Sequence, residues 1–69
     1  LPPLCYEVFK NVYLDYFPVR HTAKRLKISL NEVIDQIRLA AKLLPSGIFK
    51  IYEKYRADHF RELKKYIAP

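Results

Sequence analysis

The sequence has few of the residues on which several classes of protein depend. It has 69 residues, with one cysteine, one glycine, no methionine and no tryptophan. A single cysteine cannot form an internal disulfide, and one glycine cannot build a glycine-rich phosphate loop. No apolar run is long enough to cross a membrane. We therefore expect one small intracellular, cytoplasmic domain with no membrane partner, and a fragment of a longer protein because the chain begins at Leu1.

Signatures of catalysis and of metal binding are also absent from the sequence. His21 and His59 lie far apart, and neither has Cys, Asp or Glu at metal-ligand spacing. A chain of this size is too short to enclose a catalytic cavity. We expect no enzyme, no cofactor and no metal site. Both histidines are predicted at the surface or at the edge of the core, and Cys5 is predicted to be a buried apolar filler.

The basic charge is distributed unevenly along the chain. Residues 1–17 carry one basic and two acidic side chains, residues 18–44 carry six and two, and residues 45–69 carry six and three. The formal net charge of +6 therefore comes from the last two segments. This distribution favours an anionic partner for residues 18–69 and leaves the first segment free for protein contacts.

The spacing of apolar residues predicts an all-α fold of about four helices. The predicted helices cover residues 4–17, 19–27, 30–44 and 48–67, with breaks at Pro18 and at residues 45–47. The last is predicted to be one long helix. Its inward stripe would contain Ile48, Tyr52, Tyr55, His59, Leu63 and Tyr66 or Ile67.

Residues 19–44 have the apolar spacing of a helix-turn-helix. The turn is predicted at residues 27–29, where the Ser29 hydroxyl can cap the second helix. A small Ala23 would let the two helices approach closely. The residues predicted to be buried at the helix crossing are Ala23, Leu26, Val33 and Ile37.

Four segments, taken in order, resemble region 4 of bacterial sigma factors, most closely the extracytoplasmic-function type. They are LP at residues 1–2, VF at 8–9, AKRLKIS at 23–29, and the stripe Val33, Ile37 and Leu44. The resemblance covers residues 1–44. It implies transcription initiation, recognition of the minus-35 promoter element in double-stranded DNA, docking on the flap of core RNA polymerase, and binding by an anti-sigma factor. The chain departs from the family at Thr22, usually aliphatic, and at Lys27, usually glycine.

The exposed positions of the two motif helices supply the residues predicted to contact DNA. The phosphate contacts are predicted to be Arg20, Lys24, Arg25, Lys27, Arg38 and Lys42. The base contacts are predicted to be Asn31, Glu32, Asp35 and Gln36. Amide side chains can pair with adenine, and carboxylates can accept from cytosine N4. Family members often have basic and small polar residues in this half of the helix, so the two carboxylates are a departure.

Two other functions are compatible with the same pattern. A degenerate helix-turn-helix could act as a protein-interaction module, with Ile34 exposed beside the two carboxylates. A response-regulator output domain shares the motif and often dimerises through its last helix. A stacking surface for single-stranded nucleic acid is a further hypothesis for the aromatic residues of the C-terminal segment, although core packing is favoured for them. These aromatics are Phe49, Tyr52, Tyr55, Phe60 and Tyr66.

Overall fold

The computed structural model describes residues 1–67, and this part of the chain is all-α, as predicted. Its helices are α1 (Pro3–Phe9), which continues as a π-helical segment (Lys10–Leu14), α2 (Val19–Leu26), α3 (Leu30–Leu43), α4 (Ser46–Glu53) and α5 (Ala57–Ile67). None of the helices of residues 1–67 has both the length and the apolar character needed to cross a membrane.

The first helix ends earlier than predicted because its last turn is wider than an α-helix. The Asp15 N–H donates to the Lys10 carbonyl (2.9 Å), which closes a π-type turn. Tyr16 then adopts a left-handed backbone conformation (φ 59°), and the Phe17 N–H donates to the Asn11 carbonyl (2.8 Å). Residues 15–17 therefore form the exit from the helix instead of its last turn.

The predicted turn between α2 and α3 is present at residues 27–29. Lys27 ends α2 with φ 58° and ψ 44°, and the Glu32 N–H donates to Ser29 Oγ (3.0 Å), so the predicted cap is formed. Ala23, Val33 and Ile37 are buried as expected, whereas Leu26 is half-buried. The small side chain of Ala23 thus lies where α2 and α3 approach.

The single helix predicted over residues 48–67 is wrong, since α4 and α5 are separated at residues 54–56. A straight helix of 20 residues would span about 30 Å, whereas the longest dimension of the domain is 29 Å. The break lets both halves pack on the first helix. Tyr55, predicted to face inward, lies at the break with 73% of its surface exposed.

An aromatic cluster joins the C-terminal helices to the first helix. The Phe49 and Tyr52 rings pack edge-on against the Phe9 ring at 6.2 and 6.0 Å, and Phe60 stacks on Tyr13 at 5.1 Å. Core packing is therefore confirmed for these three C-terminal aromatics. Burial, with a smaller effect from the Glu53 carboxylate, raises the pKa of Tyr13 to about 12.

Two residues assigned to the core or its edge are located as expected. Cys5 is fully buried, its Sγ donates to the Gln36 carbonyl (3.4 Å), and burial raises the pKa of its thiol. His59 is half-buried and its Nε2–H donates to the Val12 carbonyl (2.8 Å). The cysteine is thus a core residue whose thiol is kept protonated.

Candidate nucleic-acid interface

One polar stripe runs along the solvent side of α3. Asn31, Asp35, Arg38 and Lys42 are all exposed, and their spacing of four, three and four residues places them on one face of the helix. The opposite face is the buried stripe that contains Val33. Two of the predicted base contacts and two of the predicted phosphate contacts therefore share one surface, which we call the α3 face.

The other two predicted base contacts lie off this face. Glu32 and Gln36 are half-buried, and Gln36 Nε2 donates to Glu32 Oε1 (3.1 Å). The Gln36 carbonyl accepts from Cys5, so this edge of α3 lies against α1. The four predicted base-contact residues are thus divided between the exposed face and a hydrogen-bonded pair at its flank.

Ile34 does not have the exposure predicted for it. Its side chain is half-buried and packs against the hydrophobic core. The prediction of an exposed isoleucine beside the carboxylates is therefore wrong. The physical reason is that position 34 lies only one residue beyond the buried Val33, at the edge of the core-facing stripe.

The basic residues of α2 have two different environments. Arg20 and Lys24, four residues apart, are exposed. Arg25 is also exposed, but its Nε–H donates to Asn11 Oδ1 (3.0 Å) and its guanidinium carbon lies 4.6 Å from the centre of the Phe17 ring. Arg25 therefore has a defined position before any ligand binds.

Asn11, like Phe17, is a residue of this network that the sequence analysis did not identify. It is only 4% exposed, and its Nδ2 donates to the Glu7 carbonyl (2.7 Å) in addition to the bond that its Oδ1 accepts. A buried amide needs such partners. The available signal was an asparagine between Phe9 and Val12, in an otherwise apolar helix face.

The six predicted phosphate-contact residues share one electrostatic property. Within residues 1–67, the ion pairs join Arg61 to Asp58, Lys64 to Glu53 and Lys65 to Glu62. None of these pairs includes a cation of residues 19–44. The cations of α2, the turn and α3 thus remain available to an external anion, and we call them the motif cations. They are Arg20, Lys24, Arg25, Lys27, Arg38 and Lys42.

Thr22, the first departure from the sigma-factor pattern, is a polar defect in the core. The residue is fully buried, and in the part of the chain that the structure describes its Oγ1 has no hydrogen-bond partner. Burying a hydroxyl without a partner costs about 1–3 kcal/mol. The motif therefore tolerates a polar group where an aliphatic side chain would fit.

Neither a metal site nor a known relative accounts for this surface. Residues 1–67 contain no cluster of three or more His, Cys, Asp or Glu side chains that could hold a metal ion. No family model, curated protein or solved structure matches the chain. The charges and the geometry of the chain itself are therefore what indicate its function.

Proposed function

We propose that this chain is a sequence-specific DNA-binding domain, with α3 in the major groove and α2 across the phosphate backbone. The observation that carries the proposal is the set of motif cations, which no carboxylate of residues 1–67 neutralises. Duplex DNA presents a regular array of phosphates to such a surface. The α3 face adds Asn31 and Asp35, whose side chains are able to read base edges.

The resemblance to sigma-factor region 4 extends this proposal to transcription initiation in the cytoplasm. The DNA would be the minus-35 promoter element, and the protein partner would be the flap of core RNA polymerase. The outer side of the first helix supports a protein contact, since Tyr6 and Leu14 are large, apolar and more than 40% exposed. They are interspersed with Glu7 and Lys10, as in the mixed rim of a protein interface.

One observation favours the alternative of a protein-interaction module. Asp35 lies within the α3 face, where a carboxylate beside phosphates costs free energy unless a donor meets it. A cytosine amino group would be that donor in the DNA complex. A basic or amide side chain of a partner protein would be the donor in the alternative, so the role of Asp35 separates the two functions.

Selection from a randomised duplex library tests the proposal. We expect the wild-type domain to enrich a defined sequence. Asp35→Asn should change the preference at one base pair by about 1–3 kcal/mol and raise non-specific affinity, because a negative charge leaves the phosphate field. Glu32→Gln is the matched control and should keep the wild-type preference, since Glu32 is paired with Gln36 at the flank.

The library also gives the results that would contradict the proposal. Retention of no duplex at low salt would exclude DNA binding and favour the protein-interaction module. An enriched sequence that is identical for the wild type and Asp35→Asn would refute base reading by this carboxylate. A changed preference in Glu32→Gln would mean that the Glu32–Gln36 pair opens on the DNA.

A further inference from the structure

Arg25 differs from the other motif cations in how firmly its side chain is held. Within residues 1–67 it is the one motif cation with both a side-chain hydrogen bond and an aromatic contact. Its Nε–H donates to Asn11 Oδ1 at 3.0 Å, and its guanidinium group lies over Phe17 at 4.6 Å. Stacking on an aromatic ring together with a directed N–H bond fixes the plane of a guanidinium group.

Both anchors of Arg25 are themselves fixed by the fold. Asn11 is buried in the π-helical segment, where its amide nitrogen is bonded to the Glu7 carbonyl. Phe17 is half-buried, its ring lies 4.9 Å from that of His21, and its N–H closes the helix exit on the Asn11 carbonyl. The amide and the ring thus belong to one hydrogen-bonded unit at the end of the first helix.

We infer that Arg25, Phe17 and Asn11 form a preformed phosphodiester-binding site, an inference that depends on the proposed DNA binding. Arg25 contacts the phosphate, and Asn11 and Phe17 are positioning residues. A guanidinium group has five N–H donors, and Asn11 uses only the one on Nε. The four donors on the terminal nitrogens remain for phosphate oxygens, in the planar geometry that favours two parallel hydrogen bonds.

This arrangement raises the affinity of Arg25 for a phosphate through an entropic effect. A free arginine loses rotamer freedom when it binds a phosphate, and this loss weakens the contact. Arg25 has already lost that freedom in the folded protein. Lysine would keep the charge but has no second planar donor group, so it cannot bond to Asn11 and the phosphate in the same way.

Two charge-conserving variants test the inference. Arg25→Lys should weaken binding to a duplex of the selected sequence by about two- to twelvefold, the equivalent of immobilising one long side chain. The slope of log affinity against log salt should stay unchanged, because the number of charges is unchanged. Arg61→Lys is the matched control, since Arg61 is an exposed arginine outside the motif cations, and it should bind like the wild type. Arg25→Gln should instead reduce the magnitude of the slope by about 0.9.

A nuclear magnetic resonance experiment on the free protein measures directly how firmly the Arg25 side chain is held. The Nε–H signal of Arg25 should be rigid and protected from exchange with water, and that of Arg20 should be mobile. Phe17→Leu and Asn11→Ala should each increase the mobility of the Arg25 signal and lower the affinity to that of Arg25→Lys. Unfolding curves are recorded first, so that every variant is compared under conditions in which it is folded.

The outcomes separate the inference from the proposed function. If the wild type binds no duplex at low salt, both are refuted. If the wild type binds and Arg25→Lys binds equally well, only the preformed site is refuted. An Arg25 signal as mobile as that of Arg20 would also overturn the positioning by Asn11 and Phe17.

Discussion

The two basic regions of this molecule have almost the same composition of charge and differ in how many of their cations are paired with carboxylates. Residues 18–44 and 45–69 each contain six cations, with two and three acidic residues respectively. In the C-terminal region, all three carboxylates are within 3.4 Å of a lysine or arginine. In the helix-turn-helix region the described residues show no such pair. Net charge alone would have treated the two regions as equivalent, whereas the distances within residues 1–67 show that three of the six C-terminal cations are paired with carboxylates and that none of the motif cations is.

The two regions also differ in what they contribute to the core. The C-terminal region supplies Phe60 and Leu63, both buried, and its Phe49 and Tyr52 rings pack on Phe9 of the first helix. The motif region supplies small and aliphatic core residues and also contains two features that cost stability, a buried hydroxyl at Thr22 and a left-handed lysine at position 27. Its buried apolar residues are Val19, Ala23, Val33, Ile37 and Ala40. Both regions therefore build the core, and the motif region also presents the exposed cations of the proposed binding surface.

The largest expected effect tests the structural role of the C-terminal region. Phe60→Ala should destabilise the domain by about 3–5 kcal/mol, because the ring is 1% exposed and stacks on Tyr13. Chemical denaturation monitored by circular dichroism measures the change. Tyr55→Ala is the control and should change the free energy of unfolding by less than about 0.5 kcal/mol, since Tyr55 is exposed. Equal effects of the two substitutions would show that α5 is not part of the core.

The second prediction tests whether the two sets of cations differ in function. If four phosphates are contacted, the wild-type slope of log affinity against log salt should be about −3.6. Arg20→Gln with Lys24→Gln should bring it to about −1.8 and weaken binding about 60-fold at about 0.1 M salt. Arg61→Gln with Lys65→Gln removes the same charge from the C-terminal region and should leave the slope unchanged, because these cations already face Asp58 and Glu62. Equal losses in the two double variants would remove the distinction between the regions.

The sequence predicted the helix boundaries of the motif better than those of the C-terminal region. The reason is that the motif depends on interactions between residues close in sequence, whereas the C-terminal region depends on residues far apart in sequence. The turn at residues 27–29 depends on Ser29 and on apolar spacing within a few residues, so local sequence contains the information. The break before α5 depends on Phe49 and Phe60 both reaching the first helix, about 40 and 50 positions away in the chain. Helical periodicity continues through residues 54–56, so the local pattern does not indicate that the helix breaks there.

The sequence could predict which cations of the candidate site are exposed. It could not predict which side chains of the site contact each other. Exposure of Arg20 and Lys24 follows from helical periodicity. The Glu32–Gln36 bond and the anchoring of Arg25 by Asn11 need the positions of side chains on different turns and helices. The π-type turn that carries Asn11 leaves no recognisable pattern in the residue types.

The third prediction concerns a substitution that removes the buried, unpartnered hydroxyl of the motif. Thr22→Val keeps the shape of the side chain and replaces the unpartnered hydroxyl with a methyl group. It should stabilise the domain by about 1–3 kcal/mol, because an unsatisfied buried hydroxyl costs about that much. Thr22→Ser keeps the hydroxyl, removes a methyl and should be destabilising. A Thr22→Val variant less stable than the wild type would mean that the hydroxyl has a partner, such as a buried water.

The smallest effect concerns Lys27, where stability and binding should change in opposite directions. Its φ of 58° lies in the left-handed region, which costs a residue with a Cβ about 1–2 kcal/mol. Lys27→Gly removes this cost, and part of the gain is offset because glycine loses more freedom on folding, by about 0.5–1 kcal/mol. The net stabilisation should be about 0.5–1 kcal/mol, measured by chemical denaturation.

The matched control for this substitution is Lys27→Ala, which removes the same charge and keeps the Cβ. If Lys27 contacts a phosphate, both variants should reduce the magnitude of the salt slope by about 0.9, while only Lys27→Gly gains stability. A lysine at this position would then be retained for its contact with DNA, at the expense of the more stable turn. Equal stability of the glycine and alanine variants would contradict the strain argument, and an unchanged slope in both would remove Lys27 from the phosphate-binding surface.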